Sequence, residues 1–408
     1  MKAGKRQIRR LVFAVVSYLV PCLEPGTAAV YAQIPDSTRL GRMQHIDSVV
    51  VVGRFQPEKV IPAQALSGEQ LQRLNAHSVA DAIRYFSGVQ IKDYGGIGGL
   101  KTINVRGMGT QHVGVFYDGI QLGNAQNGQI DLGKYSLDNM AAVTLYNGQK
   151  SSGVQSAKDY ASASAVYLRT RIPEFRDGKR HNLKLTLKGG SFGTVNPSVL
   201  YEQRLGERTS NSLNAEFLYT TGRYKFSYVK ADGYDTTAVR QNGDVRALRI
   251  EEGLFGQIPN GNWRVKAYFY NSERGYPGAF VREEPGKFRH EDRQWDSNFF
   301  LQGSLFKTFG NRYRLSVNAK YAYDYLHYLS DPRLDVTTMY VNNHYYQQEA
   351  YLSAAHELTL FKWWDLNLAA DLQYNTLDAD LVNFVYPCLL YTSPSTRDPK
   401  TSRMPSSA

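Results

Sequence analysis

Six stretches after residue 182 alternate apolar and polar side chains with a period of two. In the cleanest, Tyr313, Leu315, Val317, Ala319, Tyr321, Tyr323 and Tyr325 share one face, and Arg314, Ser316, Asn318, Lys320 and Asp324 share the other. The same pattern runs through 183–188, 213–219, 245–250, 263–269 and 364–374. Successive strand residues point to opposite faces, so each stretch needs one apolar and one wet environment. A soluble sandwich meets that need with solvent on the polar side. A membrane barrel meets it with a polar lumen, lipid outside and aromatic residues at the two interfaces. Alternation alone leaves both open. About nine strands are expected, near 182–191, 195–205, 211–223, 243–256, 261–273, 294–309, 311–328, 338–360 and 363–376.

The first half reads differently. A basic stretch, Lys2 to Arg10, precedes the apolar run Leu11 to Val20 and then Val30-Tyr31-Ala32, the layout of a secretory signal over 1–32. That run is too short to span a bilayer as a helix, and no other segment approaches one. After a polar spacer comes the β-branched run Val49–Val52, either an ordinary first strand or a segment that adds itself to another protein's sheet edge. Ser67 with Gln70 predicts a capping box opening a helix to about Leu74. Ser78 predicts the cap of a second helix, with Val79, Ala82, Ile83 and Phe86 on one face and Gly88 at its end. A glycine-rich turn (Gly95, Gly96, Gly98, Gly99), short strands and a closing strand near SAVYLRTR complete a small α+β domain.

Composition narrows the function. There are 29 tyrosines and 35 glycines, which suits aromatic interfaces and many turns. Of the net charge of +11, Lys2, Lys5, Arg6, Arg9 and Arg10 against Glu24 put +4 in the first 32 residues, and Arg397, Lys400 and Arg403 against Asp398 put +2 in the last 18. The chain between has no basic run, so nucleic acid is not an expected partner. Two cysteines, Cys22 and Cys388, make no disulfide framework, and no His/Cys cluster has zinc spacing. No nucleophile, base or paired carboxylate stands in a catalytic arrangement, so no enzyme is expected.

The order of segments over residues 46–172 resembles the plug domain of TonB-dependent outer-membrane receptors. Residues 47–53 (DSVVVVG) resemble the TonB box, 104–109 (NVRGMG) the I-R-G segment, 115–120 (VFYDGI) the V-L-V-D-G-V segment, and ASASAVYLRT the closing strand. Two departures stand out. Asn147 occupies the place of the family's second arginine, and the closing strand has serines and alanines instead of a glycine pair. The resemblance resolves the choice left open above. It implies an α+β plug domain followed by a transmembrane antiparallel β-barrel, incomplete here at about nine of roughly 22 strands. The domains expected are a signal peptide at 1–32, a segment with the TonB box at 33–53, the plug at 54–172 and a partial barrel at 173–386. A non-native or disordered tail is expected at 387–408, where the alternation collapses.

The implied function is active import of a scarce nutrient into the cell envelope. Cobalamin is favoured, because the glycine-rich turn and the lack of an extra domain before the TonB box resemble cobalamin receptors. A ferric-siderophore or haem receptor is the alternative within the family, and a passive porin or adhesin barrel the alternative outside it. A secreted soluble β-protein is the third class. TonB is expected to pair with Asp47, Ser48, Val49, Val50, Val51 and Val52. The ligand is expected at Asp93, Tyr94, Gly95, Gly96, Ile97, Gly98, Gly99 and Leu100, and at Asn124, Gln126 and Asn127. Glycines let a backbone approach a ligand closely, and amides offer donors and acceptors. Arg106 is expected to carry the plug–barrel charge contact alone. Asp232, Asp235 and Asp244 are the candidate calcium ligands, since hard cations take carboxylate oxygens, and no other cofactor is implied. The partners implied are TonB, outer-membrane lipid and a small nutrient ligand.

Overall fold

The computed structural model describes residues 63–94, 96–126, 128–148, 154–175, 178–229, 233, 235–277, 291–330, 340–361, 364–380 and 388–391. The chain divides into two units, and the first, Met1–Gln56, lies outside the described residues together with the expected signal peptide and TonB box.

In the second unit an N-terminal domain forms around a five-stranded sheet. Its strands are β1 (Ala63–Ser67), β4 (Val113–Tyr117), β5 (Ile120–Gln121), β6 (Met140–Tyr146) and β7 (Ser164–Thr170), in the order β1-β6-β7-β4-β5. Only β4 and β7 run parallel. A separate hairpin pairs β2 (Val89–Asp93) with β3 (Lys101–Val105). Short helices α1 (Glu69–Arg73), α2 (Val79–Ile83) and α3 (Ala157–Ala161) complete the domain. Val79, Ile83, Val115, Val143, Leu145 and Val166 are buried together, so this half is organised like any soluble domain, with its oil inside. The capping box expected at Ser67 and Gln70 does not form, because α1 starts after Gly68, whose φ of 51° takes the chain into the left-handed region instead. Ser78 does precede α2, but its hydroxyl donates to the Asp81 carboxylate (2.9 Å) and not to the helix backbone. A true capping box opens α3, where the Ser156 side chain bonds Asp159 N and the Asp159 carboxylate accepts from Ser156 N.

The remainder is one antiparallel sheet in sequence order. It runs through β8 (His181–Gly190), β9 (Thr194–Arg204), β10 (Thr209–Thr220), β13 (Val245–Ile258), β14 (Gly261–Pro277), β15 (Glu291–Phe309), β16 (Tyr313–Ser330), β17 (Val341–Phe361), β18 (Trp364–Ala379) and β19 (Cys388–Tyr391). The nine strands expected from alternation are all present. β19 falls in the stretch expected to be a tail and pairs with β18. The strand ends bounding the short intervals 205–208, 259–260, 310–312 and 362–363 lie at one end of the sheet, and those bounding the long connections 221–244, 278–290 and 331–340 lie at the other. A two-stranded hairpin, β11 (Tyr224–Val229) with β12 (Asp235–Arg240), interrupts the first of these connections. Its two legs touch at the root: a side chain on Gly222 (φ +59°) would sit 2.0 Å from the Gly243 carbonyl oxygen.

The sheet inverts the rule of the N-terminal domain. Lys266 and Glu251 are 0% exposed, facing the domain it curves around, while Leu352 is 51% and Leu187 75% exposed. On β16, Asn318 and Lys320 are buried and Ala319 and Tyr321 exposed. A soluble sandwich would bury the opposite set, so the polarity of the faces selects a lipid-facing wall with a polar interior. Outward aromatics cluster at both ends. Phe309, Tyr313 and His356 stack at the short-turn end, and Trp295, His327, His344, Tyr325 and Tyr346 at the other. From Tyr313 to Tyr325 is about 40 Å along the strand at ~3.3 Å per residue, or about 30 Å across a bilayer at a tilt of ~40°.

Candidate functional site

The β4–β5 turn joins the N-terminal domain to the sheet. Asp118 (φ 53°) and Gly119 (φ 90°) form its two central positions, both left-handed, as tight hairpin turns require. The turn holds two functional side chains at the domain surface. Tyr117 donates to Glu251 Oε2 (2.8 Å), and Asp118 accepts from Thr170 N (2.8 Å) and Thr170 Oγ1 (2.5 Å). From the sheet, Arg264 reaches Asp118 at 2.5 Å and Lys266 at 3.2 Å. Lys266 also stands 3.6 Å from Glu251 and 3.6 Å over the Tyr117 ring. Burial alone would raise the Asp118 pKa, but Lys266, then Arg264 and the Thr170 bonds outweigh it and hold the carboxyl below its usual range. Burial, with Glu251 and Asp118 adding to it, pushes the Tyr117 phenol well above its usual value, so it stays a donor.

Other cross-links follow the same logic. Lys134 of the N-terminal domain meets Asp296 (3.1 Å), Asp138 meets Lys188 (2.9 Å), and Arg274 meets Asp131 (3.4 Å) and Asp296 (2.8 Å). Burial would lower the Lys134 pKa, yet Asp296 and Asp131 raise it overall, so the ammonium stays charged. Arg106 corrects the sequence expectation. It is exposed, in a left-handed conformation (φ 50°), and no residue of the sheet pairs with it among the described residues. The contact rests on Asp118, Asp131, Asp138, Lys134 and Arg171 of the N-terminal domain, with their counter-ions on the sheet.

Above these contacts, at the end with the long connections, lies a cavity of about 270 Å³. Its floor comes from the N-terminal domain through Leu100, Leu122, Asn124, Gln126 and Asp131. Its wall comes from the sheet through Tyr276, Lys320, Asp324, Tyr328, Tyr345 and Gln347, among others. Of the residues expected to bind ligand, Leu100, Asn124 and Gln126 therefore line it, whereas Gly95 and Asn127 lie outside the described residues. Asn124 does so as a scaffold, because its amide donates to Gln129 O (2.9 Å) and accepts from Gln126 N (3.0 Å). Ala125 N donates to Gln347 Oε1 (2.8 Å), fastening this loop to the wall. Gly98 is a packing residue. A Cβ there would fall 2.0 Å from Val245, and its carbonyl accepts from Arg274 (2.6 Å). Gly99 is buried, and the positive φ belongs to Gly96. Asp93 and Tyr94 are exposed, and Asp93 spends an oxygen on Gly96 N (2.9 Å). Ile97 packs against the core.

The calcium expectation loses its footing. Both Asp244 oxygens are taken by Arg293 (3.0 and 2.9 Å), Asp235 is exposed at the start of β12, and Asp232 lies outside the described residues. Among the described residues no group of three His, Cys, Asp or Glu side chains converges on a metal position. Sequence reasoning missed the whole cavity wall. Its signal was the polar face of each strand, on which Arg274, Asp296, Lys320 and Asp324 all fall.

The family model for the TonB-dependent receptor plug domain matches residues 58–158. Residues 58–158 are a TonB-dependent receptor plug domain. The plug and the sheet around it share their fold with solved receptors. One is the open form of the ferric-catecholate import receptor Fiu from E. coli K12, with 11% identity and a TM-score of 0.55 over 78% of this chain and 49% of that one. A second is the copper transporter OprC, with 14% identity and a TM-score of 0.56 over 78% and 46%. A third is the ferric yersiniabactin uptake receptor FyuA from Yersinia pestis, with 13% identity and a TM-score of 0.50 over 81% and 60%. The chain spans about half the length of the first two. The strands around the plug are thus part of a receptor-type barrel wall.

Proposed function

We propose that this chain is the plug and the first wall strands of an outer-membrane receptor that imports a scarce, metal-containing nutrient through TonB coupling. The observation that carries the reading is the cavity floored by the plug and walled by the sheet at the end with long connections. A passive pore has no use for a domain bound inside it by buried ion pairs. The reading includes export by the segment 1–32, an outer-membrane location, and pairing of TonB with Asp47–Val52. The work of transport is conformational, without covalent chemistry. Cobalamin and ferric siderophores are both metal chelates. The glycine-rich turn favours the first, and the likeness to the ferric-catecholate and ferric yersiniabactin receptors favours the second.

The test uses the full-length receptor in cells. Val50→Pro removes a backbone donor from the strand that would pair with TonB. Uptake should be abolished while ligand binding and membrane insertion stay intact. Normal uptake by that variant would sink the coupling assignment.

A further inference from the structure

The cavity wall and floor carry three cations, and each is already committed. Lys134 is held by Asp296 (3.1 Å) and Asn298 (3.0 Å). Arg274 is held by Asp296 (2.8 Å), Asp131 (3.4 Å) and the Gly98 carbonyl (2.6 Å). Lys320 is held by Glu349 (2.9 Å) and the Gln121 carbonyl (3.2 Å). Asp324 stands apart. It faces the cavity from β16, accepts one hydrogen bond, from Asn298 (2.6 Å), and has no ion pair among the described residues. The described lining therefore has no free positive charge and one carboxylate without a cation of its own.

An anionic ligand entering this space meets cations whose charge is already balanced by the buried carboxylates of Asp131, Asp296 and Glu349, so little net attraction is left for it. Drawing a lysine or arginine fully off its partner would strand a desolvated negative charge, which costs more than the new contact returns. Asp324, when ionised, adds direct repulsion, the kind of element that sets specificity by exclusion. A neutral or cationic complex meets no such barrier. Tyr276, Tyr328 and Tyr345 give it broad aromatic faces with hydroxyl tips. We infer that the cavity selects neutral or cationic metal complexes and rejects anionic ones, and that Asp324 is the specificity-determining residue. The inference rests on the receptor reading above and decides between ligand classes within it.

The test is equilibrium binding by the purified full-length receptor to three probes: neutral cyanocobalamin, a cationic ferric trihydroxamate and an anionic ferric tris-catecholate. Wild type, Asp324→Asn and Asp324→Lys are compared after a heat-modifiability check for a folded barrel. Wild type should bind the better of the first two at least about tenfold more tightly than the catecholate. Asp324→Lys should shrink or reverse that gap. The nearly isosteric Asp324→Asn, which keeps the question open if the lysine variant does not fold, should weaken the cationic probe relative to the neutral one. A wild type that prefers the catecholate, or a ranking indifferent to both substitutions, overturns the charge inference and leaves the receptor reading standing. No binding of any probe by a folded, inserted wild type overturns both.

Discussion

The plug and the sheet around it use the same residue types with opposite polarity. In the plug, Val143 and Val166 are sealed inside, and Asp118, Asp131 and Lys134 face the sheet. In the sheet, leucines such as Leu352 look outward, and Lys266, Glu251 and Glu216 are sealed inside. The plug thus behaves as a soluble domain whose polar surface meets the polar inner face of a wall. The joint between them is made of ion pairs and hydrogen bonds, not of apolar contact alone. The difference teaches that burial by itself does not say what a surface is for, and that the medium on the other side does. A joint of this kind is strong while complete. It is not purely polar, because Tyr268, Phe300 and Ala322 of the sheet share one apolar cluster with the plug core.

Three substitutions probe that contrast in the full-length receptor, in decreasing order of effect. Lys266→Met leaves Glu251 without its ammonium and Asp118 with Arg264 alone. Removing one partner of a buried pair should loosen plug docking by about 3 kcal/mol, seen as earlier proteolysis of the plug at constant barrel content. Wild-type protection in that variant would show that other contacts hold the plug. Next, Leu352→Arg is an exposed position by area, where water would tolerate it within about 0.5 kcal/mol. A lipid-facing position near mid-strand should instead lose about 2–4 kcal/mol in refolding into liposomes. Unchanged folding there would mean that the outward face does not meet hydrocarbon.

The smallest effect concerns Lys158 on α3, whose backbone N–H donates to Asp371 (3.0 Å) and whose ammonium bonds Gln373. Burial lowers its pKa to about 8, against the pull of Glu349 and Asp371. Between pH 8 and the ordinary lysine value the unfolded chain binds more protons than the folded one, so stability rises with pH in that window. From pH 7.5 to 9 the gain should be about 1 kcal/mol, absent in Lys158→Met, as read from urea midpoints. A slope shared by both proteins would assign the pH effect elsewhere.

Much of this fold was legible in the chain. Alternation located nine strands of the sheet, because a period of two survives wherever one face is apolar and one polar. It could not say which face was inside, since a sandwich and a barrel share the pattern and only the surroundings differ. Helix starts were less legible. Ser67 has the right spacing for a cap, yet Gly68 turns the chain first, while the true capping box at Ser156 and Asp159 went unnoticed among small residues. The candidate site was half visible. Leu100, Asn124 and Gln126 were found through the resemblance, but their partners sit on distant strands. Arg264 lies 146 residues from Asp118, and no local pattern announces such a meeting. Arg106 misled for the same reason, being named by its motif and not by its neighbours.

The pinched root of the β11–β12 hairpin has a consequence for how such a receptor changes over time. Where Gly222 and Gly243 touch, the ribbon leaves and re-enters the wall almost at one point. Residues 223–242 are in effect a detachable module: deleted, lengthened or exchanged for another, they leave Thr220 opposite Val245 and every downstream register in place. Sequence change within this ribbon therefore leaves the buried contacts beneath it undisturbed.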